Sequence, residues 1–239
     1  MAAPIAHIFL AKQMLAGPFK GFFDEKEFII GTSFPDIRYL KVVPRTKTHI
    51  AHVLLKDILL ETNSFKAGVL FHSLVDEQRE AFVVANRLYD KMPEFRFTSQ
   101  SLKFAEDELL KNRFDIACYQ AYFDTILDRE KDYNIDEKHI KMWHTFLQEY
   151  FNGDYSGKDL IMKYFDLNEP NAWFIKRWFF ARFYARKMHQ AMAAVLNNEQ
   201  TKKLILDFYL HFAERNAHGN LGRSASSGHG SSNGRCCGG

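Results

Sequence analysis

Cysteine is scarce in this chain of 239 residues: Cys118, Cys236 and Cys237 are the only three. Two of them are adjacent in a polar tail, so neither count nor spacing builds a disulfide framework or a thiolate zinc site. Charge of one sign is not in large excess either. The formal net charge is +3 and the isoelectric point is near 8.6. That balance is too mild to imply nucleic acid, and it is compatible with an anionic substrate. Long hydrophobic runs are missing. The opening MAAPIAHIFLAKQMLAG has no basic n-region, and His7 and Lys12 interrupt its apolar run. It reads as neither signal peptide nor transmembrane segment, and a cytoplasmic location is the expectation. Period-two alternation is absent too, which removes β-strands from the expected fold.

What is present is an ordinary globular composition: 46% hydrophobic, 26% charged and 15% aromatic residues, with 23 phenylalanines. Such a chain can bury a sizeable core. Apolar periodicity predicts an all-α fold of roughly nine or ten helices. Pro4 to Ala16 reads as a helix with Pro at its start and Gly17 at its end. A turn over Gly21 to Lys26 precedes Glu27 to Ser33. Pro35 breaks any helix there, leaving Asp36 just past a helix end or in a tight loop. Thr46 to Leu60 is amphipathic, with His49 on it. Ser64 to Met92 is long and stops before Pro93. Further helices are expected from Thr98 towards Lys111, over Phe114 to Arg129, Asp136 to Asn152, Ser156 to Phe165, Glu169 to Leu196 and Glu199 to His218. Residues 1–218 form one expected all-helical, metal-binding domain. Residues 219–239, rich in glycine and serine, are an expected disordered tail.

The chemistry concentrates in the first third. In AGVLFHSLVDE, His72 and Asp76 are four residues apart, which places them one helical turn above each other on one face. The residues around them are apolar, and burying two such groups without a partner is costly. Alone, the pair reads equally as a hydrogen-bonded core histidine or as part of a metal site. His7 in AHIFLA, Asp36 in GTSFPDI and His49 in KTHIAH add further polar groups, each flanked by apolar residues. Three histidines and two aspartates can fill one four-coordinate site and begin a second, with Asp76 bridging ions at the ~3.5–4 Å separation of two-metal hydrolases. Zinc, manganese or iron would suit such donors. His52 reads as exposed. His139 and His144 lie on different faces of one helix. His189, His211 and His218 read as structural or solvated.

These residues occur in an order that resembles a known family. A histidine in the first helix is followed by Gly31 with Pro35-Asp36, then His49, then Ala67-Gly68 with His72 and Asp76. The set resembles the zinc-dependent phospholipase C family and, more distantly, the S1/P1-type nucleases, over about residues 1–80. The resemblance implies an all-helical fold around a metal cluster. Asp36, His49, His72 and Asp76 would surround one zinc and His7 another, with Asp76 as the bridge and a metal-activated water attacking phosphorus. The family's further His…His-x-x-x-Glu set has no counterpart soon after Asp76; either Glu77, Glu80 or Glu106 substitutes, or the site holds fewer ions. The family also uses a free terminal amine, whereas this chain begins Met-Ala-Ala-Pro. A second, looser resemblance, carried by the opening histidine and the aromatic-basic stretch RFYARKMHQAM, is to acyl-carrier-protein phosphodiesterases.

The helix WFIKRWFFARFYARKMHQAM interleaves cations with aromatics. Most of its basic side chains read as stems covering apolar surface with solvated heads. Arg182 and Arg186, one turn apart, are the candidates for holding a substrate phosphate. The expectation is therefore a metal-dependent phosphoesterase with ligands His7, Asp36, His49, His72 and Asp76; no separate general base is identifiable, and Asp36 or a nearby carboxylate would orient the attacking water. Its substrate would be a lipid, a nucleotide or nucleic acid, an acyl-carrier phosphopantetheine or a small phosphoester. The alternative is a non-catalytic helical binding or scaffold protein that retains a structural or degenerate metal site.

Overall fold

A computed structural model describes residues 2–153 and 174–217, with side chains described from residue 183 in the second segment. The fold is all-α, and among the described residues there is no strand. The helices are α1 (Pro4–Ala16), α2 (Glu25–Ser33), α3 (Arg45–Thr48), α4 (Leu55–Leu60), α5 (Ser64–Ala85), α6 (Thr98–Leu110), α7 (Asp128–Lys131), α8 (Glu137–Phe151), α9 (Phe174–Leu196) and α10 (Glu199–Leu210). Short 3-10 turns cover Phe34–Leu40, Tyr89–Lys91 and Ala117–Asp124. No described helix is long and apolar enough to cross a membrane. The stretch Ser156 to Phe165 and the tail 219–239 lie outside the described residues.

The organising contact is the pairing of α2 with α5. The two run parallel, as the contacts Asp24–Ser64, Phe28–Gly68 and Thr32–His72 show. Two glycines make the approach possible. A Cβ on Gly31 would lie 2.0 Å from the Phe65 carbonyl oxygen, and one on Gly68 would lie 2.3 Å from that of Phe28. Only glycine tolerates backbone at that distance. Because the helices are parallel, the C-terminal end of α2, which Asp36 follows, lies beside the middle of α5, where His72 and Asp76 stand. At their N-terminal ends Asp24 caps α2 through Glu27 N–H, and Asn63 caps α5 through Lys66 N–H. Phe19, Phe28 and Phe71 fill the space beside the pair, all fully buried, with ring centroids 5.4–6.0 Å apart. Each such ring contributes roughly 1.5–3 kcal/mol on burial.

Several segments differ from the sequence expectation, one through tertiary hydrogen bonds and two through local ones. Thr46 to Leu60 is not one helix. His49 ends α3 in an extended conformation, and His52 has φ 58°. The α5 side chains capture this loop: Ser73 Oγ accepts from Ile50 N–H and Glu77 Oε2 from His52 N–H. The helix expected to reach Met92 stops at Ala85. Arg87 adopts φ 51°, and the amides of Arg87 and Leu88 return to the carbonyls of Val84 and Val83, a left-handed helix stop held in place by the buried Leu88. Phe114 to Arg129 is a 3-10 turn and a short helix rather than one helix. Here Asp115 and Glu130 side chains bind nearby amides and compete with helical bonding.

Candidate metal centre

Three elements bring the histidines together. Helix α1 carries His7. Its N-terminus has no cap of its own, and the buried Asp107 of α6 fills the role, accepting from the amides of Ile5 at 3.1 Å and Ala6 at 2.8 Å. Burial pushes the Asp107 carboxyl up to about 7, against the Tyr150 hydroxyl and those two amides, which favour its charged form. Helix α5 carries His72 and Asp76. The loop after α3 carries His49.

The orientation of each ring is set by its outer nitrogen. His72 Nδ1–H donates to the Thr32 carbonyl at 2.8 Å, satisfying one of the carbonyls left over at the end of α2. Trp143 takes the next one, with its indole N–H 3.2 Å from the Ser33 carbonyl, and so anchors the turn that presents Asp36. His7 Nδ1–H faces the Ala3 carbonyl at 3.2 Å, and His49 Nδ1 lies 3.0 Å from Thr48 Oγ1. All three Nε2 atoms then turn inward. They lie 3.4 Å (His7), 3.5 Å (His49) and 3.5 Å (His72) from the Asp76 carboxylate, and those of His49 and His72 are 3.2 Å apart. The rings of His7 and His72 stack at 4.0 Å. Asp36 Oδ1 has no hydrogen-bond partner among the described residues, although Arg38 Nε stands 3.7 Å away.

These distances fit a metal ion. Donors about 2.0–2.1 Å from a tetrahedral zinc are spaced by roughly 3.3 Å along the edges of the tetrahedron. His49 Nε2, His72 Nε2 and Asp76 Oδ2 form a triangle with edges of 3.2, 3.5 and 3.5 Å. Two groups offer donor atoms within 4.8 Å of one another: Asp36, His49 and His72, and His7, His72 and Asp76. The outward Nδ1–H bonds are the arrangement that orients imidazole ligands in metal sites. Burial depresses the His7 imidazole below its ordinary pKa, aided by His72, so its inward nitrogen carries a lone pair facing a carboxylate. That nitrogen has no hydrogen-bond partner among the described residues. Burial opposes ionisation of Asp76, yet the three imidazoles hold its carboxyl well below the usual range. Asp76 Oδ1 also accepts the Ala2 amide at 2.7 Å.

The structure therefore brings together His7, Asp36, His49, His72 and Asp76. It does not bring the proposed substitutes. Glu106 is bound bidentately by Arg79, at 2.9 Å to each oxygen, and by the Tyr209 hydroxyl. Glu77 pairs with the exposed His52, and Glu80 with Tyr89 and Arg79. Of the two arginines singled out for a substrate phosphate, Arg182 has its side chain outside the described residues, and Arg186 is exposed and is not among the residues lining the cavity at the cluster. His144 is buried against Glu130 at 2.7 Å, away from any cluster.

The cluster opens into a cavity of about 790 Å³ whose walls include Arg45, His49, Asp76, Glu80 and Lys103. Sequence periodicity did not single out Lys103. It is 3% exposed. Burial depresses its pKa, the Asp36 carboxylate raises it and the Arg79 guanidinium lowers it. No protein-family model, curated protein or solved structure matches the chain.

Proposed function

We propose that the chain is a metal-dependent phosphoesterase. The observation that carries this reading is the convergence of three imidazole Nε2 atoms on the Asp76 carboxylate at 3.4–3.5 Å, with their other nitrogens turned away. The resemblance of the His7, Pro35-Asp36, His49 and His72–Asp76 order to the zinc-dependent phospholipase C and P1-type nuclease group points to the same reaction class. His49, His72 and Asp76, with Asp36 beside them, would hold one ion, and His7 with the other Asp76 oxygen a second. Divalent zinc, or manganese or iron in its place, supplies Lewis acidity towards a phosphoester oxygen and lowers the pKa of water. The protein's own part is positional. Thr32 and Ala3 carbonyls fix the rings of His72 and His7. Asp36, with an oxygen free of hydrogen bonds among the described residues, or a nearby carboxylate would orient the attacking water. The cavity admits a phosphoester such as a nucleotide, a lipid head group or acyl-carrier phosphopantetheine.

The second reading is a non-catalytic helical protein with a structural metal. The engagement of Glu77, Glu80 and Glu106 elsewhere favours it. Elemental analysis of purified protein, with hydrolysis of p-nitrophenyl phosphate and bis-p-nitrophenyl phosphate, separates the two. The phosphoesterase reading expects bound metal and ester cleavage that chelation abolishes. Tightly bound metal with neither ester cleaved supports the structural reading, and absence of any metal uptake refutes both.

A further inference from the structure

Helix α6 buries three charged side chains at positions that share one face: Lys103, Glu106 and Asp107. Two have structural partners. Glu106 neutralises Arg79, and Asp107 caps α1 and accepts from Tyr150. Lys103 makes no hydrogen bond or ion pair among the described residues, although it is 3% exposed. Its stem is packed away, and its ammonium is left without a protein partner among the described residues at the cavity wall.

Its position supplies a chemical reason. Lys103 lines the main cavity together with His49 and Asp76. It also lines a small cavity of about 20 Å³ with Asp36 and Tyr39. It thus flanks the cluster on the sides of both carboxylates. With Asp36 and Asp76 committed to metal, the Lys103 ammonium, which makes no ion pair among the described residues, is available to an anion entering the cavity.

We infer that Lys103 is the substrate-binding cation of this site, and that it takes an anionic phosphoryl oxygen beside the metal cluster. The inference rests on the metal-centre reading and names a residue for the role that the sequence had suggested for Arg182 and Arg186. A lysine acts here as a point charge with three donors, suited to a phosphoryl group whose orientation the metal already sets.

Full-length protein loaded with zinc is titrated calorimetrically with inorganic phosphate, and zinc content is measured for every variant. Lys103→Met is expected to keep its zinc and to weaken phosphate binding by roughly ten- to a hundredfold, the loss of one charge-assisted hydrogen bond. Lys103→Arg should retain most of the affinity. Lys103→Gln replaces the methionine variant, under the same criteria, if circular dichroism shows the latter unfolded. Unchanged phosphate affinity at full zinc occupancy overturns the inference and leaves the metal reading intact. So does a wild-type protein that holds zinc and binds no phosphate. A protein that takes up no zinc overturns both.

Discussion

Replacing His72 with alanine tests the metal centre through stability rather than activity. The ring is 1% exposed, stacks on His7 at 4.0 Å and donates to the Thr32 carbonyl at 2.8 Å. Truncating a buried ring costs about 3–5 kcal/mol, and the Thr32 carbonyl loses its partner as well. For a domain of this size each kcal/mol lowers Tm by roughly 2–4 °C. In chelating buffer His72→Ala should therefore melt about 10 °C or more below wild type. Zinc at a hundredfold excess over Kd stabilises the wild type by about 2.7 kcal/mol, roughly 5–11 °C. The variant lacks the nitrogen that completes the triangle with His49 and Asp76, so most of that zinc-dependent rise should vanish. Asp76→Asn, which preserves shape, should also lose it. The assay is differential scanning calorimetry with and without zinc. A zinc-induced rise in His72→Ala as large as in wild type would show that no ion uses this nitrogen, and the cluster would have to be reread as a hydrogen-bonded core.

Gly68→Ala should destabilise the protein by more than about 3 kcal/mol, because its Cβ would meet the Phe28 carbonyl at 2.3 Å and the Thr32 amide at 2.7 Å. Zinc affinity should fall with it, since Thr32 holds the His72 ring; urea unfolding and a zinc titration would read both effects. At Asp107 the folded carboxyl is raised to about 7 from an ordinary 3.8. The native state therefore keeps a proton that the unfolded state has released. The stabilising contribution is present below pH 4 and is lost as pH rises through about 7, with a slope of at most ~1.4 kcal/mol per pH unit. Asp107→Asn should flatten that part of the pH–stability curve, and an unchanged slope would assign the titration to another group.

The ligand candidates were legible because each polar residue sits inside an apolar stretch, as His72 does between Phe71 and Leu74. The glycines at 31 and 68 were visible as letters, but their purpose was not. Only the backbone approach of α2 to α5 shows that they let two parallel helices bring Asp36, His72 and Asp76 together. Lys103, Glu106 and Asp107 illustrate the opposite limit. Their spacing puts them on one face of a helix, and nothing in that spacing shows that all three are buried.

By itself, then, the sequence determined the helical class, the break at Pro35 and the terminus of α1 at Gly17, and it singled out the five polar residues of the candidate metal centre. All of these come from local chemistry: periodicity, fixed proline geometry, and the cost of burying a polar group among apolar neighbours. The tertiary structure alone decided that His49 stands in a loop held by Ser73 and Glu77. It decided that α5 stops at Ala85, that Glu106 is occupied by Arg79, and that Lys103 is buried on the wall of the cavity that His49 and Asp76 also line. The loop of His49 and the pairing of Glu106 depend on partners more than twenty residues away, the other two on packing, and neither the period of a helix nor the identity of a residue specifies which distant group it will meet.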